Sequence, residues 1–194
     1  MNALTRLSPT ITRMIRADHT AVVATFHKYD ANASASTKRA LVNTVCLAVE
    51  IHAQLEEEIF YPEMRALDTK SLFHSVQEHD DMRRLIGALR AMDASEASFD
   101  ETFMNLMREV LHHVAHEETV VLPEAERLLS SARLSELGAE MTKRRLELSA
   151  PRAGEIAVNA ARSYSGAMIA GAGVLAVGAL LAARAMSNAR GVRT

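Results

Sequence analysis

Apolar residues recur at every third or fourth position along most of the first 148 residues, the spacing that places them on one face of an α-helix. Four such stripes are separated by short polar stretches, and a fifth, weaker stripe covers residues 128–148. Long helices joined by short loops pack antiparallel to their neighbours. The pattern therefore predicts an all-α fold, in which an antiparallel up-down four-helix bundle is followed by an additional amphipathic helix.

The C-terminal part of the chain has a different pattern. Residues 149–154 combine Pro, Gly and Ala and predict a break, and residues 163–183 run for 21 positions without a charge. A helix of that length spans about 32 Å, enough for a bilayer core of about 30 Å. We therefore expect a bundle domain over residues 1–148, a linker over 149–162, and a hydrophobic C-terminal helix with a short tail over 163–194.

The hydrophobic segment determines where we expect the protein to reside. The N-terminal residues carry charges at Arg6, Arg13 and Arg16, so they lack the apolar core of a signal peptide. We expect a cytoplasmic domain anchored to the inner or plasma membrane by residues 163–183, whose small residues also permit a homo-oligomer. A buried helix and a disordered Ala/Gly stretch are the alternatives to a membrane span.

Composition narrows the functions that the chain can have. The formal net charge is -2, and no basic patch alternates with aromatic residues, so we expect no binding to nucleic acid. Aromatic residues make up only 4%, which leaves an aliphatic core and favours helices over sheets. The one cysteine, Cys46, cannot form an internal disulfide, which fits a reducing compartment.

The bundle region contains an internal repeat. A His-x-x-x-Glu motif starts at His52 and again at His113, 61 positions later, and a proline follows six residues after each glutamate. A single histidine preceded by an acidic residue also occurs twice, at His19 and His79. Each copy of the repeat thus carries one lone histidine and one His-x-x-x-Glu. We expect each proline to end or kink its helix.

Residues four apart on an α-helix lie on one face, so each His-x-x-x-Glu offers a ring nitrogen and a carboxylate in the same direction. All four histidines lie well inside their predicted helices, and mid-helix positions of an antiparallel bundle meet at one level. Burying four imidazoles and two carboxylates together is costly unless cations lie between them. The sequence therefore predicts a metal site with these ligands: His19, His52, Glu56, His79, His113 and Glu117.

The residues beside these ligands leave two alternatives open. Glu118 could replace Glu117 as a ligand, since a five-residue spacing can also reach a metal. His116, on the edge of the inner face, could be a fifth nitrogen ligand or a group that supports one. Glu57, Glu58 and Glu118 are rotated off the core face, and we expect them to be solvated.

In type, order and spacing these residues resemble the hemerythrin-like family, also called the HHE cation-binding domain, over about residues 8–148. The resemblance implies a four-helix bundle around a non-haem di-iron centre, with the four histidines binding iron and Glu56 and Glu117 bridging the two ions. Oxygen-carrying hemerythrins have an additional histidine where this chain has Ser75. The chain is therefore more similar to the bacterial subgroup with four histidines and two glutamates.

The resemblance implies a protein that binds or senses dioxygen, nitric oxide or iron. A di-iron enzyme that decomposes peroxide, as a catalase does, is the alternative, and a structural zinc bundle is a weaker one. Ferritin-like oxidases share the architecture, but their Glu-x-x-His motif places the carboxylate first, the reverse of the order found here.

Overall fold

The computed structural model of the chain describes residues 9–65 and 70–163, and every regular element within these ranges is a helix. The prediction of an all-α fold is therefore confirmed. The helices are α1 (Ile11–Phe26), α2 (Ala35–Leu55), α3 (Tyr61–Arg65), α4 (Lys70–Ala91), α5 (Ala97–His116), α6 (Leu122–Leu128), α7 (Ser131–Ser149) and α8 (Ala153–Ser163).

Helices α1, α2, α4 and α5 form the bundle. Arg39, near the start of α2, donates a hydrogen bond to the carbonyl of Leu89, near the end of α4. Tyr29, just beyond the end of α1, donates one to Asp100 in the first turn of α5. Since helix starts lie beside helix ends, neighbouring helices run antiparallel, as the short loops predicted.

Side-chain caps fix where three helices begin. Thr10, Ser34 and Ser130 each accept a hydrogen bond from the backbone N–H three residues further on, at the starts of α1, α2 and α7. Such a bond satisfies one of the N–H groups that the first turn of a helix leaves without a partner. The caps set the start of each helix and so determine which residues face the bundle interior.

Two bundle helices widen into a π turn directly after the glutamate of each His-x-x-x-Glu motif. The turns cover Glu56–Phe60 and Glu117–Val121, and each is closed by a bond from an N–H to the carbonyl five residues back. Pro62 and Pro123 follow that N–H by one residue, and neither can donate the bond that would continue an α-helix. We expected each proline to end or kink its helix, but the helix instead widens before the proline and continues past it as α3 and α6.

Two apolar clusters lie on either side of one polar layer in the bundle. Along α1, for example, Ile15 belongs to the first cluster, His19 to the layer and Val22 to the second cluster. Apolar packing above and below therefore separates the polar side chains from water. The layer consists of six buried residues: His19, His52, Glu56, His79, His113 and Glu117.

Helices α7 and α8 lie outside the four-helix bundle. Helix α7 is the additional amphipathic helix that the sequence predicted, and Leu134, Leu137 and Met141 on its apolar side pack into the cluster that contains Ile15. The segment 149–162, expected to be a linker, contains a 3-10 turn and then α8, which packs against α2. The division into domains at these bounds remains a prediction.

Replacing Gly138 of α7 with alanine should destabilise the fold. A Cβ atom at this position would lie 2.0 Å from the backbone carbonyl oxygen of Pro9, so α7 and the segment before α1 would have to move apart. We expect the free energy of unfolding to fall by about 1–3 kcal/mol. Gly87→Ala is the matched control, because nothing lies within 4 Å of its Cβ position and α4 should gain about 0.5–1 kcal/mol. Denaturant unfolding of both variants checks this, and equal stabilities would contradict the described packing.

Within residues 9–65 and 70–163, no helix is both long and apolar enough to cross a bilayer. The long helices carry charged residues on their outward faces, which the bilayer core would not accommodate. The expectation of a cytoplasmic domain anchored to the inner or plasma membrane by a C-terminal helix is therefore wrong. Of the segment 163–183 that suggested it, all but the first residue lies outside the described residues, together with the hydrophobic helix and the oligomer contact expected there.

Candidate metal centre

All six residues that the sequence proposed as metal ligands meet in the polar layer. Nε2 of His79 lies 3.3 Å from both Oε2 of Glu56 and Nε2 of His113. Because the π turns follow the glutamates, the α-helical spacing within each His-x-x-x-Glu motif is intact. Five of the residues each offer one ligand atom within 4.8 Å of the others: His19, His52, Glu56, His113 and Glu117.

The four histidines form two pairs. The Nε2 atoms of His19 and His52 are 3.2 Å apart, and those of His79 and His113 are 3.3 Å apart. Two nitrogens that bind one ion at about 2.1 Å in tetrahedral geometry are roughly 3.4 Å apart. Each pair therefore has the spacing of two ligands on a single metal ion.

The two glutamates lie between the histidine pairs. Oε2 of Glu56 is 3.3 Å from Nε2 of His52, in the first pair, and 3.3 Å from Nε2 of His79, in the second. Oε2 of Glu117 is 3.4 Å from Nε2 of His19 and 3.6 Å from a nitrogen of the second pair. Each carboxylate thus approaches one histidine from each pair, which is the position of a ligand shared by two ions.

The other ring nitrogen of each histidine, Nδ1, faces a second carboxylate outside the layer. An ionised carboxylate only accepts hydrogen bonds, so in a neutral ring Nδ1 would carry the proton and Nε2 would present its lone pair to the interior. Three of these contacts are hydrogen bonds and the fourth is longer. The pairs and their Nδ1–oxygen distances are His79–Glu57 (2.8 Å), His19–Glu118 (3.0 Å), His113–Glu78 (3.1 Å) and His52–Asp18 (3.6 Å).

The centre of the layer contains many acceptors and few donors. Four Nε2 lone pairs and two carboxylates face one another there. Oε1 of Glu56 and Oε2 of Glu117 are buried and accept no hydrogen bond from any residue that the structure describes. A buried acceptor without a donor costs about 1–3 kcal/mol, and more when it is charged. Metal ions between these atoms would satisfy all of them, so the residues fit a metal centre.

The pKa shifts in the layer also indicate that its carboxylates favour positive charge nearby, from protons or from metal ions. Burial lowers the pKa of His113, but Glu117, Glu56 and Glu78 outweigh it and raise that pKa to about 10. Burial raises the pKa of Glu56, but His52 and His113 outweigh it and hold that pKa well below its usual range. Without a metal the layer binds protons instead, and metal binding must displace them.

The family follows from a match over most of the bundle. A sequence model described as the hemerythrin HHE cation binding domain matches residues 10–125, more than half of the chain and all of the polar layer. The chain belongs to the hemerythrin HHE family. The resemblance read from the spacing of histidines and glutamates is therefore confirmed, and the buried cluster of these residues is one that could hold a metal ion.

Two comparisons place this HHE domain beside known proteins. The crystal structure of a hemerythrin HHE cation binding domain-containing protein from Mycobacterium kansasii matches with a TM-score of 0.64 at 20% identity, over 80% of this chain and 99% of that one. At this identity the likeness concerns the fold. A DNA nickase from Nostoc sp. is 26% identical over 131 residues, which make up 66% of this chain and 36% of the nickase. The HHE chain thus spans about a third of the length of that curated relative.

Tyr61 adds a hydroxyl group to the HHE centre. The π turn after Glu56 brings Tyr61 back to the layer, where its hydroxyl donates a hydrogen bond to Oε1 of Glu117 at 2.8 Å. Burial and the charges of both glutamates raise its pKa well above the usual value, so the hydroxyl stays protonated. Ser75, at the position of the additional histidine of oxygen carriers, is completely buried. The second repeat has Leu122 at the position of Tyr61, so the residue that follows its π turn offers no hydroxyl to the centre.

Sequence reasoning missed the outer carboxylates of the HHE centre. Glu57 and Glu118, which we expected to be solvated, instead contact histidines of the layer. Arg83 holds Glu57 with two contacts of 2.7 Å, and Arg145 from α7 binds both oxygens of Asp18. A signal for these residues was present, because each outer carboxylate directly precedes or follows a predicted ligand in the sequence.

The structure also shows where the residues of the two open alternatives lie. Glu117 is completely buried in the layer, whereas Glu118 is partly exposed and lies beside Nδ1 of His19. The ring of His116 packs edge-on against His74, with 5.6 Å between ring centroids. His74 is exposed, so this contact lies on the outer side of α4 and α5.

Proposed function

We propose that the chain is a non-haem di-iron protein that binds or senses dioxygen, nitric oxide or iron. The observation that carries the proposal is the approach of each buried glutamate to one histidine from each Nε2 pair. In this proposal each histidine pair holds one ion and both glutamates bridge the ions. The ligands are His19, His52, Glu56, His79, His113 and Glu117.

The donor set supports iron as the metal. Imidazole and carboxylate together suit iron, and sites of this kind leave coordination positions open. Two imidazoles and two bridging carboxylates would give each ion four protein ligands. For zinc those four ligands would complete the tetrahedral shell of a structural site and leave no position for another molecule. Structural zinc is therefore the weaker alternative, in which the centre stabilises the bundle and binds nothing further.

A small cavity beside the layer supports a small ligand. It is lined by His19, His52 and His113 together with apolar residues that include Val22 and Met82, and it has room for about one water molecule. Iron, when bound, would supply an open coordination position for a small molecule. From the opposite side of the layer, Tyr61 would offer a hydrogen bond, and the surrounding apolar clusters would keep bulk water out.

Metal analysis of the purified full-length protein tests the proposal first. We expect about two iron ions per chain, one for each histidine pair. Exposure of the reduced protein to dioxygen or nitric oxide should then change its visible spectrum, and removal of the gas should reverse the change. Zinc as the sole bound metal, or an iron protein whose spectrum ignores both gases, would contradict the proposal.

Peroxide decomposition is the second candidate. It is favoured by Ser75, since a serine where oxygen carriers have a histidine leaves one fewer nitrogen ligand. Tyr61 would keep a proton beside the two glutamates, as the pKa shift of its hydroxyl indicates. Sustained oxygen release after peroxide is added would favour this enzyme, whereas one spectral change without turnover would favour the sensor.

We make no proposal of DNA cleavage from the likeness to the nickase. That likeness covers 36% of the nickase and leaves most of that protein outside the comparison. The formal net charge of -2 gives this chain no general attraction for a polyanion. We propose instead that its partner is a small molecule.

A further inference from the structure

A second group of metal-binding side chains lies on the outer surface, next to the buried centre. His74 and Glu78 lie on α4, and His112 lies on α5. One ligand atom from each lies within 4.8 Å of the others. The imidazoles are open to solvent, with side chains 55% and 66% exposed, while Glu78 is almost completely buried.

The spacing of the group is that of a metal site. His74 and Glu78 form a third His-x-x-x-Glu in the chain, so they point the same way from α4. Oε1 of Glu78 is 3.2 Å from Nε2 of His74 and 3.5 Å from Nε2 of His112. Ligands that bind one ion at about 2.1 Å in tetrahedral geometry are roughly 3.4 Å apart, so both distances fit.

Comparison of the two repeats shows that Glu78, among the described residues, lacks the arginine partner of its counterpart Asp18. Asp18 occupies the equivalent position in the first half, where it supports His52 just as Glu78 supports His113. Arg145 binds both oxygens of Asp18 and balances its charge. Oε1 of Glu78 is buried and accepts no hydrogen bond from any described residue, and it points toward the two exposed imidazoles. A cation at this place would balance the charge of Glu78, as the guanidinium of Arg145 balances the charge of Asp18.

We infer that His74, His112 and Glu78 bind one divalent transition-metal ion, in addition to those of the buried centre. Two imidazoles and one carboxylate are a donor set for Zn²⁺, Co²⁺, Ni²⁺ or Fe²⁺, and water completes the coordination because the site is open on one side. His116 packs beside His74 at the edge of the site. The surface site shares Glu78 with the buried centre, since the other oxygen of Glu78 binds Nδ1 of His113.

A titration with Co²⁺ tests the surface site, because bound Co²⁺ absorbs visible light. Full-length protein with its buried centre loaded is compared with the double variant His74→Ala/His112→Ala. The wild type should bind one Co²⁺ per chain at least about tenfold more tightly than the double variant, because loss of a single supporting group already costs about that much and the double variant lacks two of the three ligands. The iron content of the two proteins should be equal, because neither histidine belongs to the buried layer.

His27→Ala is the matched control, since His27 is an exposed histidine outside both clusters. It should bind Co²⁺ as the wild type does. If iron does not load the buried centre, Co²⁺ should bind there in all three proteins. The difference of one Co²⁺ per chain between the wild type and the double variant would remain, so failure of the di-iron proposal can be told apart from failure of the surface site. Equal Co²⁺ binding by the wild type and the double variant would overturn the surface site, and so would a loss of binding in the His27 variant as large as in the double variant.

Discussion

Replacing Glu117 with alanine should remove most of the iron from the protein, whereas replacing Glu118 should leave it bound. Glu117 is completely buried, and its Oε2 lies near nitrogens of both histidine pairs, so its loss removes a ligand from both proposed ions. Glu118 contacts Nδ1 of His19 and would act through that ring. Loss of such a supporting group costs about 10- to 100-fold in metal affinity. Elemental analysis after gel filtration in metal-free buffer measures the difference.

The first repeat supplies a matched pair for the same measurement. Glu56→Ala should lose iron as Glu117→Ala does, because Oε2 of Glu56 also approaches both histidine pairs. Glu58→Ala should keep it, since Glu58 is exposed and pairs with Arg144 of α7. Wild-type iron content in both Glu56→Ala and Glu117→Ala would contradict the ligand assignment. Iron loss on changing Glu118 but not Glu117 would assign Glu118 as the ligand instead.

Removing the metal should lower the unfolding temperature by roughly 10 °C. Ions that bind only the folded chain stabilise it by about 4 kcal/mol when their concentration is a thousand times the dissociation constant. For a chain of this size each kcal/mol shifts the midpoint by about 2–4 °C. The physical cause is the set of facing lone pairs and carboxylates, which without a cation must be satisfied by protons. Thermal unfolding before and after chelation, followed by circular dichroism, measures the shift.

The variant Glu56→Ala/Glu117→Ala provides the control for chelation. It lacks both proposed bridging ligands, so the chelator should shift its midpoint by much less than it shifts that of the wild type. Identical midpoints for loaded and chelated wild type would show that the layer is stable without metal, which would remove the physical basis of the site.

The sequence was sufficient to predict the layer because a helix has a fixed period. A histidine and a glutamate four residues apart must share a face, and the structure places the pairs His52–Glu56 and His113–Glu117 in the buried layer. The outer carboxylates could not be found by the same reasoning. Glu57 is rotated off the core face, so when its own helix is considered alone it is expected to face water. In the bundle that direction leads to the neighbouring helix, where His79 and Arg83 bind it.

The π turns could not be predicted from local sequence either. Pro62 indicates that the α-helical pattern is interrupted, but not whether the helix ends, kinks or widens. The answer depends on packing of the whole bundle. The consequence for the site is large, because the widened turn places the Tyr61 hydroxyl at the glutamates.

The C-terminal hydrophobic segment led to a wrong expectation for a different reason. Its length alone suggested a membrane anchor that no described helix supports.

The outer carboxylates connect the bundle into a closed ring. A carboxylate of α1 supports a histidine of α2, and one from the π turn after α2 supports a histidine of α4. A carboxylate of α4 supports a histidine of α5, and one from the π turn after α5 supports a histidine of α1. No helix can slide along its axis without tilting an imidazole on its neighbour as well as moving its own. A change in metal–ligand distance at the centre would therefore be felt as tension around the entire ring. Arg145 of α7 binds Asp18, so a displacement around the ring would extend to α7 as well.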